Sequence, residues 1–130
     1  MTAFCTYCSA EKDASAGLLP AIERYLSDRI DRIKIASLYA GCGFFILSGE
    51  YGLIGDQEPI PYYDHLLAAG EVDARARQVR AQLEELGIAQ LVFFTVPLSE
   101  DPTLGPYHEC LRRACREASV PLTFIEIDFA

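Results

Sequence analysis

The spacing of apolar residues along the chain predicts helices that alternate with strands. Residues 3–8 are aromatic or small and apolar, which is typical of a short strand. A helical spacing begins at residue 18, and Ser27 is the expected N-cap of a second helix that Gly41 ends. The residues expected to face the core at three- and four-residue spacing are Leu18, Ile22 and Leu26 in the first helix and Ile30, Ile33, Ala36 and Ala40 in the second.

The middle of the chain combines an apolar run with a long polar stretch. Residues 44–47 are apolar without interruption and are bounded by glycines, as in a strand that is covered on both faces. Residues 49–62 contain too much Gly and Pro for regular structure, and Asp64 is expected to cap a brief turn. Residues 71–86 then carry apolar residues four and three apart, which predicts a helix that stops at Gly87.

The last third of the chain repeats this alternation. A strand is predicted over residues 91–96, a helix over residues 107–118 and a final strand over residues 122–129. Glu126 and Asp128 on one side of that strand indicate a sheet edge. The order β-αα-β-α-β-α-β predicts one α/β domain over residues 1–130. We expect three layers, α/β/α, around a mainly parallel sheet of about four strands, in a Rossmann-like or flavodoxin-like arrangement.

Composition and charge narrow the classes of partner. The 130 residues include 19 acidic and 11 basic side chains, and the formal net charge is −8. This charge repels a phosphate backbone and disfavours nucleic-acid binding. Two arginine clusters could form a local basic patch, although solvated helix faces are the simpler interpretation. They comprise Arg75, Arg77 and Arg80, and Arg112, Arg113 and Arg116.

Targeting signals and cysteines bear on the cellular location. Residues 1–16 lack the basic start and apolar stretch of a signal peptide, and no window is apolar enough for a membrane span. We therefore expect a cytoplasmic protein without membrane contact. The five cysteines are an odd number and predict reduced thiols. Cys5 and Cys8 have the Cys-x-x-Cys spacing of metal and redox sites, but two structural thiols in a strand are favoured.

Candidate chemistry lies in the loops that follow the predicted strands. The carboxyl ends of parallel strands lie at one sheet edge, where ligands bind in open α/β sheets. The predicted catalytic residues are Glu50 and Asp64. The predicted ligand-binding residues are Ser9, Lys12, Ser48, Gly49, Tyr51, Gly52, Tyr62, Tyr63 and His65. A third loop adds Ser99, Glu100, Asp101, Tyr107 and His108. No cofactor fingerprint occurs, and we predict neither a cofactor nor a metal site.

Each of these candidates has a structural alternative. Glu50 follows a buried strand between glycines, so it could act as an acid, base or nucleophile, or simply fix the turn through backbone hydrogen bonds. Tyr51 could stack on a base or sugar, or cover the sheet edge. Asp64 could orient His65 for proton transfer, or cap a helix beside an incidental histidine. Lys12 could bind an anionic ligand or lie on the surface.

Two segments resemble a known family. Residues 46–54, ILSGEYGLI, and residues 60–66, IPYYDHL, are similar to a motif shared by the peroxide-stress YaaA family and small uncharacterised bacterial and phage domains. Residues 8–12, CSAEK, resemble the start of those small domains. Glu50 stands where many of them have lysine, and the extra tyrosine before Asp64 leaves two residues as alternatives for the family tyrosine.

The resemblance covers residues 5–67 and implies an α/β fold with a site built by the two motif segments. It implies little chemistry, because the small domains have no settled activity. YaaA proteins are linked to protection against oxidative DNA damage and are much longer than this chain. The resemblance therefore raises a stress-related role and association with DNA as expectations, although the net charge of −8 opposes the second of them.

Three functional hypotheses follow, and the sequence leaves open whether the protein is an enzyme. In the first, the chain binds or acts on a nucleoside- or nucleotide-like ligand, with Glu50 as the reacting carboxylate and Asp64 as its partner or a ribose-hydroxyl acceptor. Tyr51 or Tyr62 would stack on the ligand and Lys12 would contact an anion. The second hypothesis is a non-catalytic stress or partner-interaction domain, and the third is a DNA-associated stress protein. The oligomeric state is not predicted.

Overall fold

The computed structural model describes residues 1–128 and contains seven strands and four α-helices over that part of the chain. The strands are β1 (Thr2–Tyr7), β2 (Leu19–Pro20), β3 (Gly43–Ser48), β4 (Gly52–Gly55), β5 (Pro59–Ile60), β6 (Gln90–Thr95) and β7 (Leu122–Glu126). The helices are α1 (Ala21–Arg24), α2 (Asp28–Ala40), α3 (Val72–Glu85) and α4 (Gly105–Ala118). Short 3₁₀ turns over Ala69–Glu71 and Pro102–Leu104 precede α3 and α4.

Five strands form the central sheet in the order β4-β3-β1-β6-β7. Strands β3, β1, β6 and β7 are parallel to one another, and β4 is antiparallel to β3. The predicted α/β class with a mainly parallel sheet is confirmed. The sheet has five strands rather than about four, because residues 52–55 form β4 within a stretch predicted to be irregular. Gly52 has a φ of +70°, and this left-handed backbone lets the chain reverse direction and pair with β3.

Helices cover both faces of the sheet and give three layers. α2 packs on β1 and β3, whereas α3 and α4 pack on each other and α3 also packs on β4. Successive strand residues point to opposite faces. Ile46 and Ile54 belong to the core cluster with Ile30 of α2. Leu47 and Leu53 belong to the larger cluster that includes residues of α3 and α4.

The first predicted helix is largely wrong. α1 is a single turn, and Leu18 and Leu26 are 63% and 52% exposed. Pro20 ends the short strand β2 and limits the helix to the residues that follow it, because proline lacks an N–H and fits only the start of a helix. Arg24 then organises the segment. Its fully buried guanidinium donates hydrogen bonds to the carbonyl oxygens of residues 13, 15, 17 and 60.

The second predicted helix is confirmed, but its buried face is different. The Ser27 hydroxyl accepts from the backbone N–H of Ile30 at 3.3 Å, and Gly41 ends α2 in a left-handed conformation. The buried residues are Ile30, Ile33 and Ser37. Ala36 and Ala40 are exposed. Steps of 100° place Ala36 about 90° from the centre of the buried face, and Ala40 is the last residue of the helix.

The remaining elements follow the predictions closely. Of the apolar residues spaced four and three apart over residues 71–86, Val72, Ala76, Val79 and Leu83 are buried in α3, and Leu86, which follows the helix, is 38% exposed. Gly87 follows α3 with a φ of +68°. β7 lies at the predicted sheet edge, and residue 129 of the predicted strand lies outside the described residues. The turn expected after Asp64 is wrong: residues 61–68 have no regular structure, and the 3₁₀ turn begins at Ala69. Within residues 1–128, no helix combines the length and apolar character needed to cross a membrane.

Candidate functional site

A cavity of about 420 Å³ opens at the carboxyl end of β1. Its walls are the loop after β1, the start of α2, residues 64–66 and the segment that leads into α4. The chain leaves β1 to form β3 on one side, while β6 lies on the other side. The cavity therefore lies at the sheet edge where ligands bind in open α/β folds, close to the position at which the connections diverge. Its volume falls in the range of small-molecule sites.

The carboxyl side chains of Glu11, Asp64 and Asp101 line this cavity together with two permanent cations, Lys12 and Arg29. Within residues 1–128, neither has a carboxylate within 4 Å. The Lys12 ammonium instead lies 4.7 Å from the centre of the Tyr63 ring and 5.9 Å from that of Tyr25. Such cation–π contacts leave the ammonium protons free to bind an anion. An acidic protein thus has two cations without ion pairs in one cavity.

Oxygens of the last two residues of β1 and of the residue after it hold Arg29 in place. Its Nη1 donates to Thr6 Oγ1 at 2.6 Å and to the Tyr7 carbonyl at 2.7 Å, and its Nη2 donates to the Cys8 carbonyl at 3.2 Å. The guanidinium carbon lies 3.5 Å from the centre of the Tyr7 ring. Burial lowers the pKa of Arg29 from its ordinary value. An arginine nevertheless stays protonated at neutral pH. The side chain is a fixed cation.

The conspicuous turn after β3 has an architectural role. The fully buried Ser48 hydroxyl accepts from the backbone N–H groups of Glu50 and Tyr51, each at 3.1 Å. A Cβ on Gly49 would lie 2.7 Å from the Tyr107 hydroxyl. A Cβ on Gly52 would lie 2.5 Å from Gln82 Oε1. These residue types are therefore needed for close packing, and none of the three lines the cavity.

Helix α3 holds the same turn from the other side. Arg75 Nε donates to the Gly49 carbonyl at 2.9 Å, and Gln78 Nε2 donates to the Tyr51 carbonyl at 3.0 Å. Gln82 bonds to both backbone groups of Leu53, accepting from its N–H at 2.7 Å and donating to its carbonyl at 3.1 Å. Three side chains of α3 therefore fix the turn. The sequence predicted the helix without indicating these contacts.

Three tyrosines link the turn to residues 61–68. The Tyr63 hydroxyl is hydrogen-bonded to the Ser48 hydroxyl at 2.8 Å and to the Tyr25 hydroxyl. The Tyr51 ring packs edge-on against the Tyr63 ring at 5.3 Å. Burial raises the pKa of both Tyr25 and Tyr63, so both stay protonated at neutral pH. Tyr62 is 52% exposed, and Tyr63 is therefore the tyrosine that contacts the motif turn.

His65 joins the turn to the cavity wall. Its Nδ1 is hydrogen-bonded to Glu50 and its Nε2 to Glu71 at 2.8 Å. These hydrogen bonds, first that of Glu50 and then that of Glu71, raise the pKa of His65. An imidazole with two carboxylate acceptors is held best as the imidazolium, which donates from both nitrogens. Glu50 is thus committed to His65, and its carboxylate does not line the cavity.

The structure brings together part of the predicted site. Ser9, Lys12, Asp64 and His65 line the cavity. The predicted residues that do not line it are Ser48, Gly49, Glu50, Tyr51, Gly52, Tyr62 and Tyr63. Asp101 and Tyr107 of the third loop line it, as expected from the meeting of strand ends.

Sequence reasoning missed Tyr7 and Arg29, which also line the cavity. Arg29 lies two residues after the predicted N-cap Ser27, in the first turn of α2. The predicted start of α2 at the same sheet edge could have indicated it.

The five cysteines differ in their exposure. All five thiols are free, and Cys5 is fully buried, which raises its pKa. Cys8 lines the cavity and its sulfur lies 3.8 Å from the Tyr107 hydroxyl. Over the described part of the chain, no group of three or more His, Cys, Asp or Glu side chains is placed to hold a metal ion.

Comparison of the chain with models of known protein families, with curated proteins and with solved structures finds no match. The resemblance of the two motif segments to the YaaA family therefore stays a prediction.

Proposed function

We propose that this protein binds a nucleoside- or nucleotide-like small molecule in the cavity at the carboxyl end of β1. The observation that carries the proposal is the pairing of Lys12 and Arg29, two cations without carboxylate partners in residues 1–128, within one cavity of ligand size. Ligand sites commonly combine apolar and aromatic walls with a few convergent polar groups, and this cavity has both.

The lining suits the different parts of such a ligand. Lys12 and Arg29 favour an anionic group. The carboxylates of Asp64 and Asp101 lie in the same walls and can accept hydrogen bonds from sugar hydroxyls or base amino groups. Tyr107 is buried except for 2% of its surface and contributes apolar wall. A ligand with one acidic end and several hydroxyl or amino donors meets complementary groups throughout.

The geometry supports binding better than a reaction at an N-glycosidic bond. Glu50 lies outside the cavity wall, and one carboxylate oxygen is hydrogen-bonded to His65. Both ring nitrogens of His65 are in turn hydrogen-bonded to carboxylates, which leaves no free nitrogen to accept a substrate proton. Asp64 remains the carboxylate best placed to touch a ligand.

A second candidate is a non-catalytic stress or partner-interaction domain of the YaaA type. The architectural role of Ser48, Gly49 and Gly52 supports it, because a motif that shapes a turn needs no bound ligand. On this alternative the cavity has no ligand of its own. The two candidates differ in whether any small molecule stabilises the protein.

Thermal denaturation with a panel of nucleosides and nucleotides tests the proposal. We expect at least one compound to raise the Tm of the wild type. We expect Lys12→Gln to lose much of that shift for anionic compounds, because it removes one of the two cations. The chain's other lysine, Lys34, pairs with Asp56 and does not line the cavity, so Lys34→Gln is the matched control and should keep the shift. Failure of every compound to shift the wild type would favour the interaction domain.

A further inference from the structure

Arg29 has two hydrogen-bond donors to spare. An arginine carries five N–H groups. Both groups on Nη1 and one on Nη2 are donated to the oxygens of Thr6, Tyr7 and Cys8. Within residues 1–128, the Nε–H and the second Nη2–H have no acceptor. These two groups, called the free fork below, are available to bind oxygens of a phosphate or carboxylate.

The orientation of the Arg29 guanidinium is fixed, and its Nε is not fully buried. No fully buried side-chain nitrogen or oxygen in the described residues lacks a hydrogen-bond partner, so the unpartnered Nε has some contact with solvent. The guanidinium is stacked on Tyr7 and bonded to two successive carbonyls. Binding therefore costs little conformational entropy at this side chain, which favours tight binding.

The surroundings of Arg29 carry charges of both signs, because Glu11, Asp64 and Asp101 line the cavity together with Lys12. Arg29 lines the cavity together with Lys12, and it also lines a second cavity of about 350 Å³ with Arg32 and Tyr7. Burial of the guanidinium strengthens its attraction for an anion because less water screens the charge. Asp101 and Asp28 line one or other of these cavities, yet neither comes within 4 Å of the guanidinium nitrogens.

We infer that the free fork of Arg29 binds a phosphoryl group, and that the ligand of this site is a phosphorylated nucleoside rather than a nucleoside. The inference rests on the proposed function and narrows it to one ligand class. Arg29 fixes the phosphoryl oxygens through Nε and Nη2, and Lys12 adds a second positive charge in the same cavity. Inorganic phosphate and pyrophosphate share this chemistry and would bind more weakly.

The test compares matched ligands on the unmodified protein. Isothermal titration of the wild type should show that each 5′-monophosphate binds at least about ten times more tightly than its nucleoside. This is the expected effect of charge-assisted hydrogen bonds to a phosphoryl group. Arg29→Gln should remove this preference, so that the variant binds a nucleoside and its 5′-monophosphate with similar affinity. Arg29→Lys, which keeps the charge but loses the fork, should recover only part of the difference. Arg77→Gln, an exposed arginine of α3 outside both cavities, should have no effect.

The outcomes separate this inference from the function on which it rests. Equal affinity of the wild type for nucleosides and their 5′-monophosphates overturns the role of Arg29 and leaves the nucleoside site standing. Equal loss of both ligands in Arg29→Gln, with unchanged urea unfolding, also overturns it. If Arg29→Gln does not fold, the wild-type comparison decides. If neither nucleosides nor nucleotides bind, the proposed function fails. Pyrophosphate binding that Arg29→Gln abolishes would then still support the phosphoryl site.

Discussion

Gly49 is the residue at which the turn after β3 meets the cavity wall. Its Cα lies so close to residues 65–67 and to α4 that no side chain fits. An added Cβ would lie 2.7 Å from the Tyr107 hydroxyl and 3.0 Å from both the His65 carbonyl and the Leu67 nitrogen. Two of these three neighbours are backbone atoms, which cannot move aside cheaply.

We therefore expect Gly49→Ala to destabilise the protein by about 1–3 kcal/mol, the usual cost of overpacking. Urea unfolding followed by circular dichroism measures this change. Gly55→Ala is the matched control, since no atom lies within 4 Å of its added Cβ, and it should change stability by less than about 0.5 kcal/mol. An unchanged stability of Gly49→Ala would show that the turn is not packed as described, and would return the motif to a ligand-contact role.

The sequence predicted the location of the site better than the contacts within it. A glycine-flanked polar turn after an apolar run indicated the sheet edge correctly, and Lys12, Asp64 and His65 do line the cavity there. The part played by Arg29 could not be predicted. Two of its three partners are the carbonyls of residues 7 and 8, and backbone carbonyls carry no mark in a sequence. The sequence predicts Glu50 as the reacting carboxylate, but that carboxylate is hydrogen-bonded to His65.

At the scale of elements, the loop of residues 61–68 has no hydrogen-bonded regular structure and depends on side chains for its position. His65 holds the loop through hydrogen bonds to Glu50 and Glu71. Its hydrogen bond lowers the pKa of Glu71, and the charge of Arg75 lowers that pKa further. The hydrogen bonds to the two carboxylates raise the pKa of His65 above its ordinary value. Protonation of one imidazole thereby holds the loop against the turn and the start of α3.

This contact predicts a pH dependence of stability. Because the folded-state pKa of His65 lies above the unfolded value of about 6.5, its stabilisation is complete below that pH and is lost as pH rises through the folded pKa. We expect the free energy of unfolding in urea to fall between about pH 6.5 and 8 in the wild type. The range stops near the ordinary pKa of cysteine, about 8.5, to avoid ionisation of unfolded thiols.

His65→Gln should be less stable at pH 6.5 and should show a flatter profile, since glutamine does not titrate. The other histidine gives a contrast: burial lowers the pKa of His108, so its effect is confined to lower pH. A wild-type profile that matches that of His65→Gln over this range would refute the role of the imidazolium.

Elements with a regular apolar period were predictable, and those set by distant contacts were not. α3 and the strand β6 follow directly from the spacing of their apolar residues. The region before α2 has a helical spacing too, yet it folds around Arg24. The buried guanidinium of Arg24 donates to three carbonyls of the loop before β2 and to one carbonyl of β5. β4 is short and contains two glycines, so its strand character comes from pairing with β3 and from Gln82 of α3.

At the scale of the molecule, the charge distribution separates the site from the rest of the surface. The chain carries a net charge of −8, and most of the described ion pairs lie along α3 and α4 or on other elements away from the cavity. Lys12 and Arg29 are cations that such pairs do not neutralise. A small anion can reach them in the cavity, whereas an extended polyanion would also meet the surrounding negative surface.

This contrast predicts that the protein discriminates against nucleic acid. We expect no change in fluorescence anisotropy of labelled single- or double-stranded DNA at about 150 mM salt, because too few phosphates could be neutralised to release counterions against a net charge of −8. Nucleotide binding measured in the same buffer should persist. Reducing the salt concentration should strengthen any DNA signal only weakly. A steep salt dependence, lost on replacing Arg112 and Arg116 of α4 by glutamine, would instead reveal a local basic surface and support the DNA-associated alternative.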